Sequence, residues 1–518
     1  MPVDEIPGVD SKLETLDCYS GLYKAKKVRV FYPDDPEQIR TIFARARERR
    51  LEVTFRSGGH SFDAQSLGRQ IVISMRRLDE IDPLPAESRV RVGPGAAWGD
   101  ILAELQPFGL VPAVTVTGSD ATAGGTLSGD CLSRFSPAYG KEGTWIEHFR
   151  LITLDGGTLE CRPPGPNVPR SQWTDEERAF AGAIGGLGYL GAVVSITYRV
   201  LRVAPPETDF RVKTVVRRYE TCKDLADHLV PETKRTALED SDPQDPEKLD
   251  AIWSALVPRG RSREPSALFF TSAFVRTDEL DPMLLHQPQL NVRVLVEWAM
   301  RVRPLWRVIW WWGWHRIYKR TRPYFDEVHG FTFFVDGNAR AKKLWPFGTL
   351  KTVQQTFVVP SDLRCEGSQD AADRLAGWLE HTRWFFKEKG LEPTLHDILW
   401  LPRDVPFMLS ATSDTPGFAV SYAFETSRKK TIEKVQQAFT ELSDHLWDHY
   451  GGRVYLVKNV SARPATLDAM YGDNAREFFT LKRRLDPGGL LRNEFLERTF
   501  GWPPAIRLRP MREPPRDR

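Results

Sequence analysis

Two glycines followed by a histidine, in Arg56-Ser57-Gly58-Gly59-His60-Ser61-Phe62, come directly after a β-rich run. Paired glycines allow a sharp turn whose backbone N–H groups converge, so a loop without excess charge can cradle a pyrophosphate. His60 projects from the end of that loop. Taken alone, the pattern reads as a tight turn with a solvated histidine. A second small-residue segment changes its weight: it runs from Thr117 to Asp130 (TGSDATAGGTLSGD) and on to Tyr139-Gly140. There Gly118, Gly124, Gly125 and Gly129 permit close approach to a flat ligand, and the hydroxyls of Thr117, Ser119, Thr122 and Ser128 can hydrogen-bond it. A third segment, Gly185-Gly186-Leu187-Gly188-Tyr189-Leu190-Gly191, leads into a long strand. None of the three matches GxGxxG opening a Rossmann helix, and no GK[ST] appears, so nicotinamide and P-loop folds are disfavoured.

The elements that must position these loops read as α+β. From residue 27 to about 203, short β-rich runs (VTFR, IVISM, RVRVG) alternate with helical text such as AAWGDILAELQPFG, and the stretch closes on AVVSITYRVLRV. After APPETD the text changes: the strands ALFFTSAFV and TVQQTFVVP alternate with two long amphipathic helices, which predicts a sheet covered by helices on one face. The expected division is 1–205 for the first domain, 206–454 for a cap and 455–518 for a C-terminal segment that returns to the site. In that last part a strand, a short helix and a longer helix are expected, the longer one stopped at Asp486-Pro487.

Composition excludes several classes. Lys plus Arg (72) nearly balances Asp plus Glu (69), so no global field draws the 518-residue chain onto nucleic acid. The five cysteines, Cys18, Cys131, Cys161, Cys222 and Cys365, show neither a disulfide framework nor metal-ligand spacing. The N-terminus lacks a secretory pattern, and a cytoplasmic location is expected. Residues 301–320 hold five tryptophans among Arg and Lys; they either pack into the cap or dock peripherally on a membrane.

Together, the three glycine segments resemble the FAD-binding domain of the vanillyl-alcohol oxidase superfamily, the PCMH-type flavin domain, over about residues 27 to 203. The resemblance implies a two-lobed FAD-binding domain followed by a cap. It implies that residues 56–61 bind the diphosphate, with Phe62 also in the cofactor set, that Thr117 to Gly129 and Tyr139 line the flavin, and that Gly188, Gly191 and Val193 approach the adenosine side. RSGGHS is similar to the loop of berberine-bridge-like and sugar-oxidase branches, in which the histidine at the position of His60 is joined covalently to the flavin. Gly118 stands where doubly linked members have a cysteine, so a single link is expected. Cys131 reads as a buried small hydrophobe.

The C-terminus (LVKNVSARPATLDAMYG, then LKRRLDPGGLLRNEF) and QQTFVVP resemble decaprenylphosphoryl-ribose oxidase and its relatives. That likeness places Lys458 and Gln354 at the substrate, puts Ser421 where the family has a reactive cysteine and Leu132 where it has a histidine, and adds Asn493 to the cofactor set. The HWxK signature of aldonolactone oxidases is absent. The implied activity is oxidation of a CH–OH group of a small sugar- or polyol-like alcohol, with O2 or another oxidant as acceptor. Lys458 is the first candidate for substrate contact and could titrate low enough to act as base, with His396, Asp397 and Tyr422 as possible partners. Two other readings stay open: a membrane-associated enzyme acting on a lipid-linked substrate (a prenylphosphoryl-sugar oxidase or a sterol-type C=C reductase), and a flavin-binding protein without turnover.

Overall fold

A computed structural model describes residues 4–238, 248–257, 266–280, 323–333, 336, 350–404 and 406–502. The tryptophan-rich segment 301–320, and with it the choice between packing into the cap and peripheral membrane docking, lies outside the described residues. Among those that are described, no helix is long and apolar enough to cross a membrane.

The first part of the chain builds two small sheets. Asp10–Asp17, Lys24–Tyr32, Ile71–Ser74 and Val53–Arg56 form one, in that spatial order, with Val53–Arg56 parallel to Ile71–Ser74. The second is antiparallel: Ile81–Leu84, Arg89–Val92, Ala192–Arg199, Ile146–Ile152 and Thr158–Cys161. The crossover between Lys24–Tyr32 and Val53–Arg56 is the helix Pro36–Arg49. Asp35 caps it by accepting from the Gln38 amide, and Arg50 ends it in the left-handed conformation. VTFR, IVISM and RVRVG are thus strands, and the chain emerges from the first of them directly into the Gly58-Gly59 loop.

An eight-stranded sheet follows, in the order Tyr324–Asp326, Phe210–Tyr219, Ser266–Arg276, Ala251–Val257, Leu395–Leu401, Gly417–Thr426, Lys351–Pro360, Arg453–Val454. Alternation along its strands separates two faces. Tyr422 and Gln355 point to the helices, where the Tyr422 hydroxyl meets Thr382 Oγ1 of Ser368–Glu388 at 2.6 Å and the Gln355 amide donates to Ser443 Oγ of Lys429–Tyr450 at 2.9 Å. Ser421 and Gln354, one residue away in each strand, line a cleft on the other side. The architecture is α+β, with a helix-covered sheet in the cap.

The C-terminal part differs in detail from expectation. Only Arg453–Val454 pairs as strand; beyond it two backbone bonds, from the Tyr455 amide to Thr356 O and from the Asn459 amide to Gln354 O, both 2.9 Å, still reach Lys351–Pro360, and side chains add the rest. The Gln65 amide donates to the carbonyls of Leu456 and Lys458, both at 3.1 Å, and Asn459 Nδ2 donates to Phe62 O at 2.9 Å. The two expected helices run together as Pro464–Leu485, broken by non-helical geometry at Gly472. Leu491 then bridges to Val53 beside the first sheet.

A buried ion cluster ties the first domain to the cap. Lys141, 1% exposed, contacts the carboxylate of Asp130 and lies 2.5 Å from that of Asp404, which Ser410 also supports at 2.8 Å. Burial pushes the Asp404 carboxyl up to about 7, against the pull of the Lys141 ammonium. Lys141→Met leaves two acids without their cation, and a loss of about 3–5 kcal/mol is expected in denaturant unfolding. A loss under 1 kcal/mol would show that the cluster does not hold the two parts together.

Candidate functional site

The loop after Val53–Arg56 needs both its glycines. Gly59 has φ +78°, and a Cβ there would sit 2.6 Å from Arg56 Nη2; at Gly58 it would sit 2.8 Å from Asp120 O. The side chains of Arg56 and Ser57 brace the turn. Arg56 donates to Asp17 O at 2.9 Å and to Ser66 Oγ at 3.2 Å. Ser57 Oγ accepts from Thr122 Oγ1 at 2.7 Å, and the Thr122 hydroxyl in turn accepts from the Gly58 amide at 3.1 Å. The amides of Gly59, His60 and Ser61, all residues that line the cleft, have no partner among the described residues. Three available N–H groups on one turn can receive an anion.

His60 is oriented from two sides. Its Nε2 lies 2.9 Å from Asp120 Oδ1, and its ring stacks on Tyr19 with centroids 5.1 Å apart. The hydrogen bond from His60 holds the Asp120 carboxyl below its ordinary value. Gly118 leaves the ring's other nitrogen room: a Cβ at 118 would lie 3.7 Å from Nδ1.

The second segment folds into the helix Ala123–Gly129. Gly124 and Gly125 serve different ends. A Cβ on Gly124 would sit 2.6 Å from Pro94 Cβ, so this glycine allows close packing, whereas one on Gly125 would meet only Thr122 Oγ1, at 3.4 Å, and would enter the cleft. Of the four hydroxyls expected to face a ligand, two are spent within the protein: that of Thr122 in the chain just described, and that of Ser128 on Gly124 O at 2.8 Å. Thr117 lines the cleft; Ser119 does not, because its backbone folds over Gly99 and its amide donates to Asp336. Thr126 lines the cleft, yet its hydroxyl accepts from Trp98 Nε1 at 2.9 Å and donates to the buried Glu142 at 2.8 Å. Gly129, Gly188, Gly191 and Val193 are all in the wall.

Two further residues expected at the ligand lie off it. Tyr139 donates to the Asp250 carboxylate, which also accepts from the Phe274 amide at 2.7 Å, so it fastens the domain to the cap sheet. Asn493 is fully buried, capping Glu494–Phe500, donating to Gln65 O at 2.7 Å and accepting from the Tyr189 hydroxyl at 2.7 Å. It supports the wall from behind.

The cap and the C-terminal return complete a cleft of about 350 Å3. Gln354, Asp397, Ser421 and Lys458 line it, with Lys458 Nζ 4.1 Å from the centroid of the Phe62 ring. His396 and Tyr422 do not; each alternates with a lining neighbour and faces the helices, His396 edge-on to Tyr422 at 4.8 Å. Burial drives His396 down to about 3, so it is neutral. Cys131 lines the cleft as a buried thiol whose pKa is raised by desolvation, and Leu132 is beside it. Gln65, Tyr19, Arg134 and Trp253 belong to the wall and carry no sequence signal, because distant segments bring them there.

These features define a flavin-binding fold. Residues 28–162 match the family model described as FAD binding domain, and residues 353–499 match D-arabinono-1,4-lactone oxidase, although HWxK is absent. Residues 28–162 are thus similar to the PCMH-type FAD-binding domain, and the C-terminal part to lactone oxidases. It is 30% identical over 129 residues to an FAD-dependent monooxygenase of Cochliobolus heterostrophus (24% of each chain) and 27% identical over 190 residues to cytokinin dehydrogenase 9 of Oryza sativa subsp. japonica (34% of this chain, 33% of the relative). It is 26% identical over 207 residues to L-gulonolactone oxidase of Bos taurus (40% and 43%). The chain thus spans between about a quarter and two-fifths of the length of these relatives.

The residues present fit FAD: a free-amide cradle at 59–61, a glycine wall open at Gly125, and a turn with glycines at 188 and 191 in the wall. Gly125→Leu is expected to lower the flavin-to-protein ratio of purified protein at least tenfold with melting changed by only a few degrees, since the new side chain meets the cleft and not the core. Normal flavin content in that variant would put the isoalloxazine elsewhere.

Proposed function

We propose that the protein is an FAD-linked oxidoreductase that oxidises a CH–OH group of a small sugar- or polyol-like alcohol and carries its flavin on His60. One observation carries the reading: the cleft that holds the phosphate cradle is also lined, from the cap and the C-terminal return, by hydrogen-bonding and charged side chains, Gln354, Ser421, Asp397 and Lys458, set among apolar ones such as Leu399, Ala419 and Val457. Bound there, FAD supplies a two-electron hydride acceptor. The matched lactone-oxidase region, and a relative named for a sugar lactone, support a polyhydroxylated substrate.

Each residue then has a task on the protein's side. Gly59, His60 and Ser61 bind the diphosphate through their amides. Asp120 occupies Nε2 of His60 and thereby directs Nδ1 to the flavin, and Gly118 offers no thiol for a second link. Lys458 meets the substrate oxygen as a cation. The face of Phe62 beneath its ammonium favours the charged form, and a fixed positive charge stabilises an oxygen that becomes negative as its proton leaves. Gln354 is braced by Asn459, whose amide donates to Gln354 O at 2.9 Å and whose Oδ1 accepts from the Gln354 amide at 2.9 Å, leaving the Gln354 carboxamide to the cleft. Ser421 shares a 2.5 Å hydrogen bond with Thr356 and presents a small polar wall. The oxidant that completes turnover is O2 or another acceptor.

Two experiments test this. Acid precipitation of the purified protein should give a yellow pellet whose flavin maps to the peptide holding His60, and His60→Ala should release the colour to the supernatant; a colourless wild-type pellet refutes the attachment. Lys458→Met should keep its flavin while the rate of anaerobic bleaching by polyols falls about 10²–10³-fold. A rate within threefold of wild type removes Lys458 from the substrate site.

A further inference from the structure

We propose that Asp397 is the group that takes the proton of the substrate hydroxyl, leaving Lys458 a permanent cation; this rests on the oxidoreductase reading above. Asp397 stands in a row of directly paired residues across four strands: Ala255, Asp397, Ser421, Thr356. Asp397 and Ser421 both line the cleft. Ser421 and Thr356 satisfy each other, Ala255 has no polar atom, and neither oxygen of Asp397 accepts a hydrogen bond from a described residue. Asp397 is therefore the acid of this row, with its lone pairs available to what enters the cleft.

The other proton-active groups in the wall are engaged or unsuited: the Tyr189 hydroxyl donates to Asn493 Oδ1 at 2.7 Å, and burial pushes the Tyr19 hydroxyl up to about 12. The Tyr455 hydroxyl donates to Asp130 O at 2.9 Å and Gly129 O at 3.2 Å. The Cys131 thiol is held protonated by burial. His60 is bonded to Asp120 at the cradle end of the cleft. Lys458, as an ammonium over an aromatic face, has no lone pair to offer.

The surroundings of Asp397 suit the task. Loss of water around it raises its carboxyl from 3.8 to about 6, while Arg134, then Lys458, pull it down. Arg134 reaches the site from the segment after Ala123–Gly129, its guanidinium 4.7 Å from the centroid of the Trp253 ring; Ala255 and Ser421, on the flanking strands, carry no charge. A base of this strength is ionised at neutral pH yet accepts a proton far more readily than an ordinary surface carboxylate.

In the step, the substrate C–H bond breaks and its hydrogen leaves with both electrons, as hydride, for the bound FAD. The O–H bond breaks, its proton bonds to an Asp397 oxygen, and the C–O bond becomes C=O. The substrate loses two electrons and the flavin gains two. Asp397 afterwards returns its proton to water.

The test uses flavin-loaded full-length protein and its Asp397→Asn and Asp397→Glu variants. Anaerobic stopped-flow reduction is followed with xylitol, D-sorbitol and L-gulono-1,4-lactone from about pH 5 to about pH 9. The wild-type rate should rise through about pH 6 and level off, D397N should be about 10²–10⁴-fold slower without that inflection, and D397E should recover part of the rate with a shifted inflection. If D397N loses its flavin, D397E decides, and an unmoved inflection overturns the proposal. A D397N rate within threefold of wild type, with the same inflection, overturns it too. No wild-type reduction by any of the three probes overturns the oxidoreductase reading itself, and the proposal with it. Thermal melting supplies a readout independent of turnover. From about pH 4 to about pH 6 the folded carboxyl keeps a proton that the unfolded one releases, so wild type should lose Tm relative to D397N across that window and hold a constant deficit above it. A flat difference overturns the raised carboxyl at Asp397 without touching the oxidoreductase reading.

Discussion

The carboxamide of Gln65 holds two carbonyls, those of Leu456 and Lys458, and the site depends on that clasp. Between these segments lies nearly the whole cap. Arg453–Val454 gives only two residues of ladder to the edge of the cap sheet, too little to fix where the next turn of chain goes. Gln65 fixes it, and so do neighbours on both sides: Asp63 accepts from the Val460 amide at 3.3 Å, and Asn459 donates to Phe62 O. Lys458 consequently lands over the ring of Phe62, which belongs to the same loop as His60. The Gly59–Ser61 amides and the Lys458 side chain are thus positioned by one short stretch, residues 56 to 65.

Behind the walls, buried polar groups supply the rigidity that glycine-rich segments cannot. Glu142 accepts from Thr126 and from Tyr198, at 2.7 Å for the latter, and burial pushes its carboxyl up to about 8. The helix Ala123–Gly129 therefore rests on a neutral, hydrogen-bonded acid and not on a charge seeking water. Lys482 holds the closing turn in the same way, donating to Tyr189 O at 3.1 Å, Leu491 O at 2.7 Å and Asp486 at 2.9 Å. An unpaired member of either group would cost more than the network returns, which is why each is saturated.

What was legible in the sequence follows from how local each feature is. The three glycine segments, the strand before the first, the strand after the third and the amphipathic helices are written in adjacent residues, and all appear in the fold. Direction was harder to read. A hydroxyl or amide in a ligand-like segment has a type but no stated target, so Ser119, Tyr139 and Asn493 looked like ligands and are braces instead. For His396 and Asp397 the sequence offered two adjacent candidates; strand alternation allows only one to face the cleft, and it is Asp397. Gln65, Arg134 and Trp253 were illegible, because nothing near them in the chain says which distant segment they will meet.

The division between cation and acid in the cleft has a topological cause. Lys458 comes from the C-terminal return, anchored to the flavin domain through Gln65; Asp397 comes from a central strand of the cap sheet. A lysine and an aspartate on one element, an α-helical turn apart, tend to neutralise each other, as Lys482 and Asp486 do at 2.9 Å. Carried on separate elements, each keeps its own contacts, Phe62 for the lysine and the Ala255–Ser421 row for the aspartate. A substrate hydroxyl entering between them meets a positive charge that lowers the cost of its ionisation and a carboxylate that can receive its proton. One fixed cation cannot do both.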